Sequence, residues 1–515
     1  AAETNGTPLL TPPSDPRPQA SAAGPRRTRR RGRIAAGVSA GILLAGALGY
    51  GVADAADVVP GFLTTEPAIE VDPVPTPEAQ GRDVPAPASA LDDTAPIPTK
   101  VGPEVERILG ESKVKGFGVE VRDGLTDKVL FAADENRART PASVTKVLTA
   151  SAALLAIGGD ERLTTTTTFD PATGTVSLVG GGDVLLGGGE SQPGSVNGHA
   201  GLTTLAQETA AALKERKTHE VALRLDTSRY PGTDFSPGWE RADIGKGVIT
   251  PIQPLMVDSG YLGDPNNAWR ARSDKPAQVA FDAFRTELET AGITVTEAAP
   301  AEANAESEQS AGSGETAGSG ETAGSGESAE TLASVESATI SEIVEYALVH
   351  SDNVVAEVLG NEVAIAQGMP GSLENGPKGV IAALEDTVDL GQTQLNDTSG
   401  LDYGNRISPH DLTTVLQSSV TAKDSLSSLI SSFPVGGLTG TLTDRFGDDV
   451  NAAGTVHAKT GTLSTVTSLA GGVLDADGRY LVFSVQIDGV DKDKILEARK
   501  TVDDLVSALA DCGCR

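Results

Sequence analysis

Residues 455–487, TVHAKTGTLSTVTSLAGGVLDADGRYLVFSVQI, decide how this chain folds. Thr455–Lys459, Ser464–Leu474 and Tyr480–Ile487 read as strands, with a turn at Asp475–Gly478 between the last two. A helical pattern, Lys494–Leu509, follows them. Far upstream, Phe117–Arg122 and Lys128–Phe131 flank Asp123-Gly124 and predict a β-hairpin. Strands at both ends with helical segments between them predict one antiparallel sheet, closed by the N- and C-terminal parts of the chain. The fold class is therefore α/β in the broad (α+β) sense, an antiparallel sheet with a helical subdomain.

Between those ends lie three short motifs. A helix is predicted from Thr140-Pro141, with Thr as N-cap and Pro in the first turn, and its apolar residues continue to Ile157. It carries Ser143-Val144-Thr145-Lys146. At spacing i, i+3 the two functional side chains share a helix face, so the Lys146 amine can reach the Ser143 hydroxyl. That hydroxyl is a poor nucleophile unless a base takes its proton. Helices are predicted around Ile340–His350 and from Val354, with more to about Ser432, and Ser351-Asp352-Asn353 sits between the first two. Lys459-Thr460-Gly461-Thr462 falls in a strand, where a cation and hydroxyls can hold a carboxylate and Gly admits a close backbone. Taken singly, these are an exposed helix face, a capping turn and a strand edge guarded by Lys.

In this order, and each on the element its chemistry wants, the three motifs resemble those of penicillin-binding proteins and serine β-lactamases. More closely, the chain resembles the D-alanyl-D-alanine carboxypeptidase and endopeptidase family of class C low-molecular-mass penicillin-binding proteins. The stretches GGGDVLL (180–186), LDTSRYPGTDF (225–235), SGLDYGNRISPHDL (399–412), PVGGLTGTL (434–442) and HAKTGTLSTVTSLAGGV (457–473) carry that likeness, across about residues 105–510. It implies a DD-peptidase (transpeptidase-like) fold and an enzyme that cleaves peptidoglycan stem peptides and is acylated by β-lactams, with no metal or cofactor. Ser143 would attack the penultimate D-alanine, with Lys146 as base, its pKa lowered by burial and by Lys459. Ser351 would relay the proton to the leaving amine and Asn353 would hold the substrate amide. Lys459, Thr460 and Thr462 would bind the terminal carboxylate, with Gly461 admitting the substrate. The N–H groups of Ser143 and Thr462 would form the oxyanion hole.

Spacing separates the relatives. The 208 positions from Ser143 to Ser351 far exceed the roughly sixty of class A β-lactamases. The family carries an inserted domain there, and the composition changes near Leu163 to a Thr- and Gly-rich, strand-like region lasting to about Ser273. No Glu-x-x-Leu-Asn follows Ser351, which sets the β-lactamase alternative behind. The other alternative is a catalytically silent wall sensor of the same fold. Asp226 and Tyr230 match positions that contact the far end of the stem peptide in the family, although a turn-forming Asp and a packed Tyr fit equally well. Gly181-Gly182-Asp183 lacks the Gly-Lys-[Ser/Thr] of a phosphate loop and reads as a turn.

The remaining segments set organisation and location. Residues 1–33 form a polar tail ending in Arg26, Arg27, Arg29, Arg30, Arg31 and Arg33. Ile34–Ala53 has no charge and is about long enough to cross a bilayer, with the arginines on the cytoplasmic side. Ala53-Asp54-Ala55 has the form of a signal-peptidase site, so 34–55 is a cleaved signal or a retained anchor, and the remainder is extracytoplasmic. Residues 56–100 are a Pro-rich linker, 101–162 and 274–515 the catalytic domain, 163–273 the inserted domain, and 300–330 an acidic Gly/Ser loop without hydrophobic period. The net charge of −31 excludes a nucleic-acid partner. Cys512 and Cys514 could be a local disulfide, free thiols or a redox pair, and oligomeric state is not readable.

Overall fold

The principal elements of the computed structural model begin with helix α1 (Val101–Glu111) and the hairpin β1 (Gly118–Asp123) and β2 (Val129–Ala133). A 3-10 turn, Ala142–Thr145, leads into α2 (Lys146–Ala153). Then come β3 (Arg162–Asp170), β4 (Thr175–Val179), α3 (Leu202–Glu215), β5 (Glu220–Asp226), α4 (Pro276–Thr290), β6 (Thr294–Glu297) and β7 (Glu330–Thr339). Four helices follow: α5 (Ile340–Val349), α6 (Asn353–Ala366), α7 (Gly376–Glu385) and α8 (Pro409–Thr421). Last are β8 (Val456–Leu463), β9 (Val466–Leu474), β10 (Tyr480–Ile487) and α9 (Ile495–Asp511). The structure describes residues 91, 94–264, 267, 269–297 and 329–513, which fall in one compact unit. Residues 1–33 and 34–55, nearly all of 56–100, most of 300–330 and Cys514 lie outside them.

The first sheet has the order β2-β1-β10-β9-β8 and is antiparallel throughout. β1 pairs with β10 from Gly118↔Gln486 to Asp123↔Leu481, so the two ends of the folded chain close one sheet, as the sequence predicts. Every residue of β10 is buried, because both faces of the sheet are covered. The period of two sorts its side chains. Leu481, Phe483, Val485 and Ile487 join Val105 of α1 and Val502, Leu505 and Leu509 of α9 in one core. Tyr480 and Val482 face the other way and join Val147 and Leu148 of α2 and Leu412 and Leu416 of α8. At the strand ends, Arg479 donates to both oxygens of buried Asp123, at 2.6 and 2.8 Å.

The segment predicted as one helix from Thr140 to Ile157 is built in three pieces. Thr140 caps nothing; its hydroxyl donates to the Tyr403 carbonyl at 3.1 Å. Ala142 has φ 53°, a left-handed backbone that breaks the helix start and turns Ser143 toward β8. The far end relaxes into a π turn at Leu154–Gly158. All eight residues of α2 between them are buried, which makes it the central helix of the fold.

The second sheet, β6-β5-β4-β3-β7, mixes parallel pairs (β4/β5, β5/β6) with antiparallel ones (β3/β4, β3/β7). The threonine run of β3 alternates, with Leu163, Thr165, Thr167 and Phe169 buried. α3 and α4 cover this sheet through Leu205, Leu213, Phe281 and Phe284. The unit therefore runs past the 273 boundary read from composition, since α4, β6 and β7 all belong to it. Pairing decides this: β7 adds to the edge of β3 across the intervening chain, a contact that composition does not register. Glu330, read as the end of the acidic loop, opens β7. Cys512 is disulfide-bonded. Among the described residues, no helix is long and apolar enough to cross a membrane.

Candidate active site

Ser143, Ser351, Thr460 and Thr462 line one cavity of about 250 Å3, with Thr441, Arg445 and Arg499 completing its wall. Three elements deliver the motifs. The 3-10 turn before α2 presents Ser143, the loop entering α6 presents Ser351, and β8 presents Thr460 and Thr462. Gly461 faces the nucleophile's own backbone. A Cβ there would lie 2.6 Å from the Pro141 carbonyl oxygen and 3.2 Å from the Ser143 nitrogen, and would strike the Ser468 hydroxyl. Only glycine lets β8 come this close.

Lys146 sits behind Ser143 and is 1% exposed. Its Nζ donates to Ser143 Oγ at 3.2 Å, to Asn353 Oδ1 at 2.7 Å and to the Ser399 carbonyl at 2.7 Å. Burial pulls its pKa down to about 8, against the opposing charges of Asp397, Glu357 and Asp352. The sequence reading credits Lys459 with part of that shift. The repulsion between the two amines is mutual, and Lys459 is held well below its ordinary value by burial first and then by Lys146 and Arg445. Lys459 Nζ donates to Ser351 Oγ at 2.9 Å and to the Thr460 carbonyl at 2.8 Å.

The Ser351–Asn353 loop is held from both sides. Asp352 caps α6, its Oδ1 accepting from the Val354 and Val355 amides at 2.8 and 3.2 Å. Such a cap contributes about 1 kcal/mol. The same carboxylate accepts from Arg272 Nη2 at 2.9 Å and from the Ser259 hydroxyl. Burial pushes Asp352 up, yet Arg272, the amides and Ser259 outweigh it and hold the carboxyl below its usual range. Ser351 itself has φ 53°, a left-handed backbone like those of Ala142 and Ser259. Backbones of this kind cost about 1–3 kcal/mol and persist only where surroundings over-determine them. Asn353 Nδ2 donates to the Val248 carbonyl at 3.0 Å. Both ends of its amide are thus engaged, and it orients Lys146 as well as offering its remaining N–H.

Several of these residues carry no sequence signal. Ser399 contributes a carbonyl, which any side chain could accompany. Glu357, one helical turn beyond Asn353, accepts from the Thr398 and Ser399 amides at 3.1 and 2.8 Å and so fixes that carbonyl. Burial, and then the Asp397 charge, raises its pKa. Val248, Ser259 and Arg272 come from the Thr/Gly-rich region. Thr441 lies within PVGGLTGTL, the one stretch that could have flagged it.

Asp226 and Tyr230 do not line the Ser143 cavity. Asp226 ends β5, and its Oδ1 accepts from the Ser228 amide at 2.9 Å, a turn contact. The Tyr230 hydroxyl donates to Glu362 Oε1 at 2.6 Å, beside Arg229. A larger cleft of about 790 Å3 lies against α9, lined by Asp444, Asp448, Asp449, Asp503, Asp504 and Asp511 among others.

A serine hydroxyl, a buried amine bonded to it and a Lys-Thr-Gly strand beside it are the arrangement that acyl transfer needs. The profile of the D-Ala-D-Ala carboxypeptidase 3 (S13) family matches residues 104–264 and 263–509. The chain belongs to that family. It is 32% identical over 505 residues to carboxypeptidase DacB of Mycolicibacterium smegmatis, covering 95% of this chain and 99% of that one. It is 29% identical over 449 residues to carboxypeptidase Rv3627c of Mycobacterium tuberculosis, with 85% and 90% covered. Among solved structures, penicillin binding protein 4 (dacB) from Haemophilus influenzae aligns with TM-score 0.57 at 21% identity, covering 76% of this chain and 93% of that one. That likeness is one of fold, and it agrees with the α/β penicillin-binding architecture described above.

Proposed function

We infer that this S13 family member is a serine-type D-Ala-D-Ala carboxypeptidase that hydrolyses peptidoglycan stem peptides through an acyl-serine and is acylated by penicillins. One observation carries the reading: the Lys146 amine lies 3.2 Å from Ser143 Oγ with its pKa brought down to about 8. An amine so poised is neutral often enough near neutral pH to act as a base.

Ser143 Oγ attacks the carbonyl carbon of the penultimate D-alanine while Lys146 takes its proton. The negative oxygen that forms is received by the Ser143 and Thr462 amides, which Gly461 keeps close. Asn353 holds Lys146 in line and offers its remaining N–H to the substrate. Ser351, bonded to Lys459, relays the proton that Lys146 took on to the departing amine, and D-alanine leaves with Lys146 neutral again. Water then attacks the acyl-serine, Lys146 taking its proton and returning it to Ser143 Oγ as the acyl bond breaks, which restores both groups. Lys459, Thr460 and Thr462 bind the terminal carboxylate. Asp226 and Tyr230 are proposed as contacts for the far end of the stem peptide.

Action on the wall places the protein outside the cytoplasm, with residues 34–55 as retained anchor or cleaved signal. The mass of the protein from an envelope fraction distinguishes these. Residues 101–162 and the C-terminal part form the catalytic domain, with the second sheet's unit inserted between the first two motifs.

The test is incubation with a fluorescent penicillin followed by mass spectrometry. A stoichiometric adduct on Ser143, absent in Ser143→Ala and slow to hydrolyse, supports the reading. Rapid hydrolysis of the adduct would mark a β-lactamase. Folded protein that forms no adduct would be a silent wall-binding protein.

A further inference from the structure

The Ser143 cavity is lined by five hydroxyl side chains and two guanidiniums, Arg445 and Arg499, and by no carboxylate. In a chain of net charge −31, that makes it a local pocket of positive charge. The two arginines differ in what they bond. Arg445 is 6% exposed and is paired with Asp503, its Nε donating at 3.0 Å. Arg499 is partly buried and makes no hydrogen bond or ion pair with any described residue.

The helix makes this unusual. Arg499 and Asp503 stand at i and i+4 on α9, the spacing at which opposite charges pair. Asp503 turns to Arg445 instead, so the Arg499 fork is left facing the cavity beside a second cation. Of the two neighbouring guanidiniums only Arg445 has a carboxylate, and a bound anion in the cavity would supply the missing negative charge. A planar guanidinium with unused donors matches a carboxylate with two parallel hydrogen bonds.

We propose that Arg499 is a substrate-binding residue that receives the free C-terminal carboxylate of the scissile D-alanyl-D-alanine, together with the Thr460 and Thr462 hydroxyls. The inference rests on the carboxypeptidase reading and deepens it. Selectivity for a chain end then comes from charge on α9 as well as from the hydroxyls of β8.

The experiment compares two peptides on the full-length protein: a diacyl-L-lysyl-D-alanyl-D-alanine, and the same peptide ending in a carboxamide. Wild type is expected to prefer the free acid in kcat/KM. Arg499→Gln is expected to reduce that preference about tenfold to a hundredfold, the worth of a charged hydrogen bond. The loss falls mainly on the acid, through KM, and less on the amide. Arg499→Lys keeps the charge and retains part of the preference, which also guards against a variant that fails to fold. Equal loss on both peptides, or an unchanged preference in Arg499→Gln, overturns the proposal and leaves the carboxypeptidase reading standing. Wild-type protein that cleaves neither peptide overturns that reading and the proposal with it.

Discussion

Arg272 and Asp352 form a buried ion pair at 2.9 Å, and through it the second sheet's unit grips the loop that carries Ser351 and Asn353. Both side chains are almost fully excluded from water, at 1% and 3% exposure. The Val248 carbonyl holds Asn353 from the same side. The segment between β5 and α4, which carries Val248 and Arg272, is thus part of the site's framework.

Arg272→Met should therefore be costly, because it leaves the Asp352 charge buried without its partner. A loss of about 3–5 kcal/mol is expected from the urea unfolding midpoint, with slower penicillin acylation. Adding Asp352→Asn, which keeps an oxygen to cap α6, should recover most of the stability. A double variant no more stable than the single one would show that the ion pair is not the source.

Acylation should depend on the Lys146 proton. Its pKa of about 8 lies below the ordinary 10.5, so the amine is neutral above about pH 8 and an ammonium ion below it. As base it works only when neutral, so the second-order rate of acylation rises with pH through about 8. A rate flat from pH 6 to 9 would exclude Lys146 as the base. Lys146→Met should lower acylation by about 10²–10⁴.

Gly461→Ala puts a methyl group against the Pro141 carbonyl and the Ser468 hydroxyl. The strand must move off Ser143, which opens the oxyanion hole, and losing one such donor slows acyl transfer by about 10²–10³. Stopped-flow acylation measures this, and circular dichroism should show the fold kept.

Asp226 is tested by selectivity. If it contacts the distal stem peptide, Asp226→Ala weakens turnover of a full stem peptide much more than penicillin acylation. Equal small losses would assign it to the β5 turn alone, where its Oδ1 already caps Ser228.

Tyr230→Phe removes the hydroxyl bonded to Glu362 but leaves Arg229 on that carboxylate. The expected cost is about 1 kcal/mol in thermal unfolding, with penicillin acylation unchanged.

Local pattern was enough to find the strands of residues 455–487, the N-terminal hairpin and the three motifs. Alternation and turn residues act within a few positions, and the nucleophile–base pair sits at i, i+3. The order of the motifs also identified the family. Packing decided what depends on distant partners. It extended the second sheet to Thr339, since β7 completes it by pairing with β3. It broke the first helix at Ala142, where Gly400 approaches too closely for any larger residue and a left-handed turn is imposed. It set how deep Lys146 lies, at 1% exposure, because depth in the core belongs to the whole fold and to no motif. And it brought Arg499, which no spacing rule marks, to the wall beside Ser143: a helix face turns toward a site only when the sheet beneath it has closed.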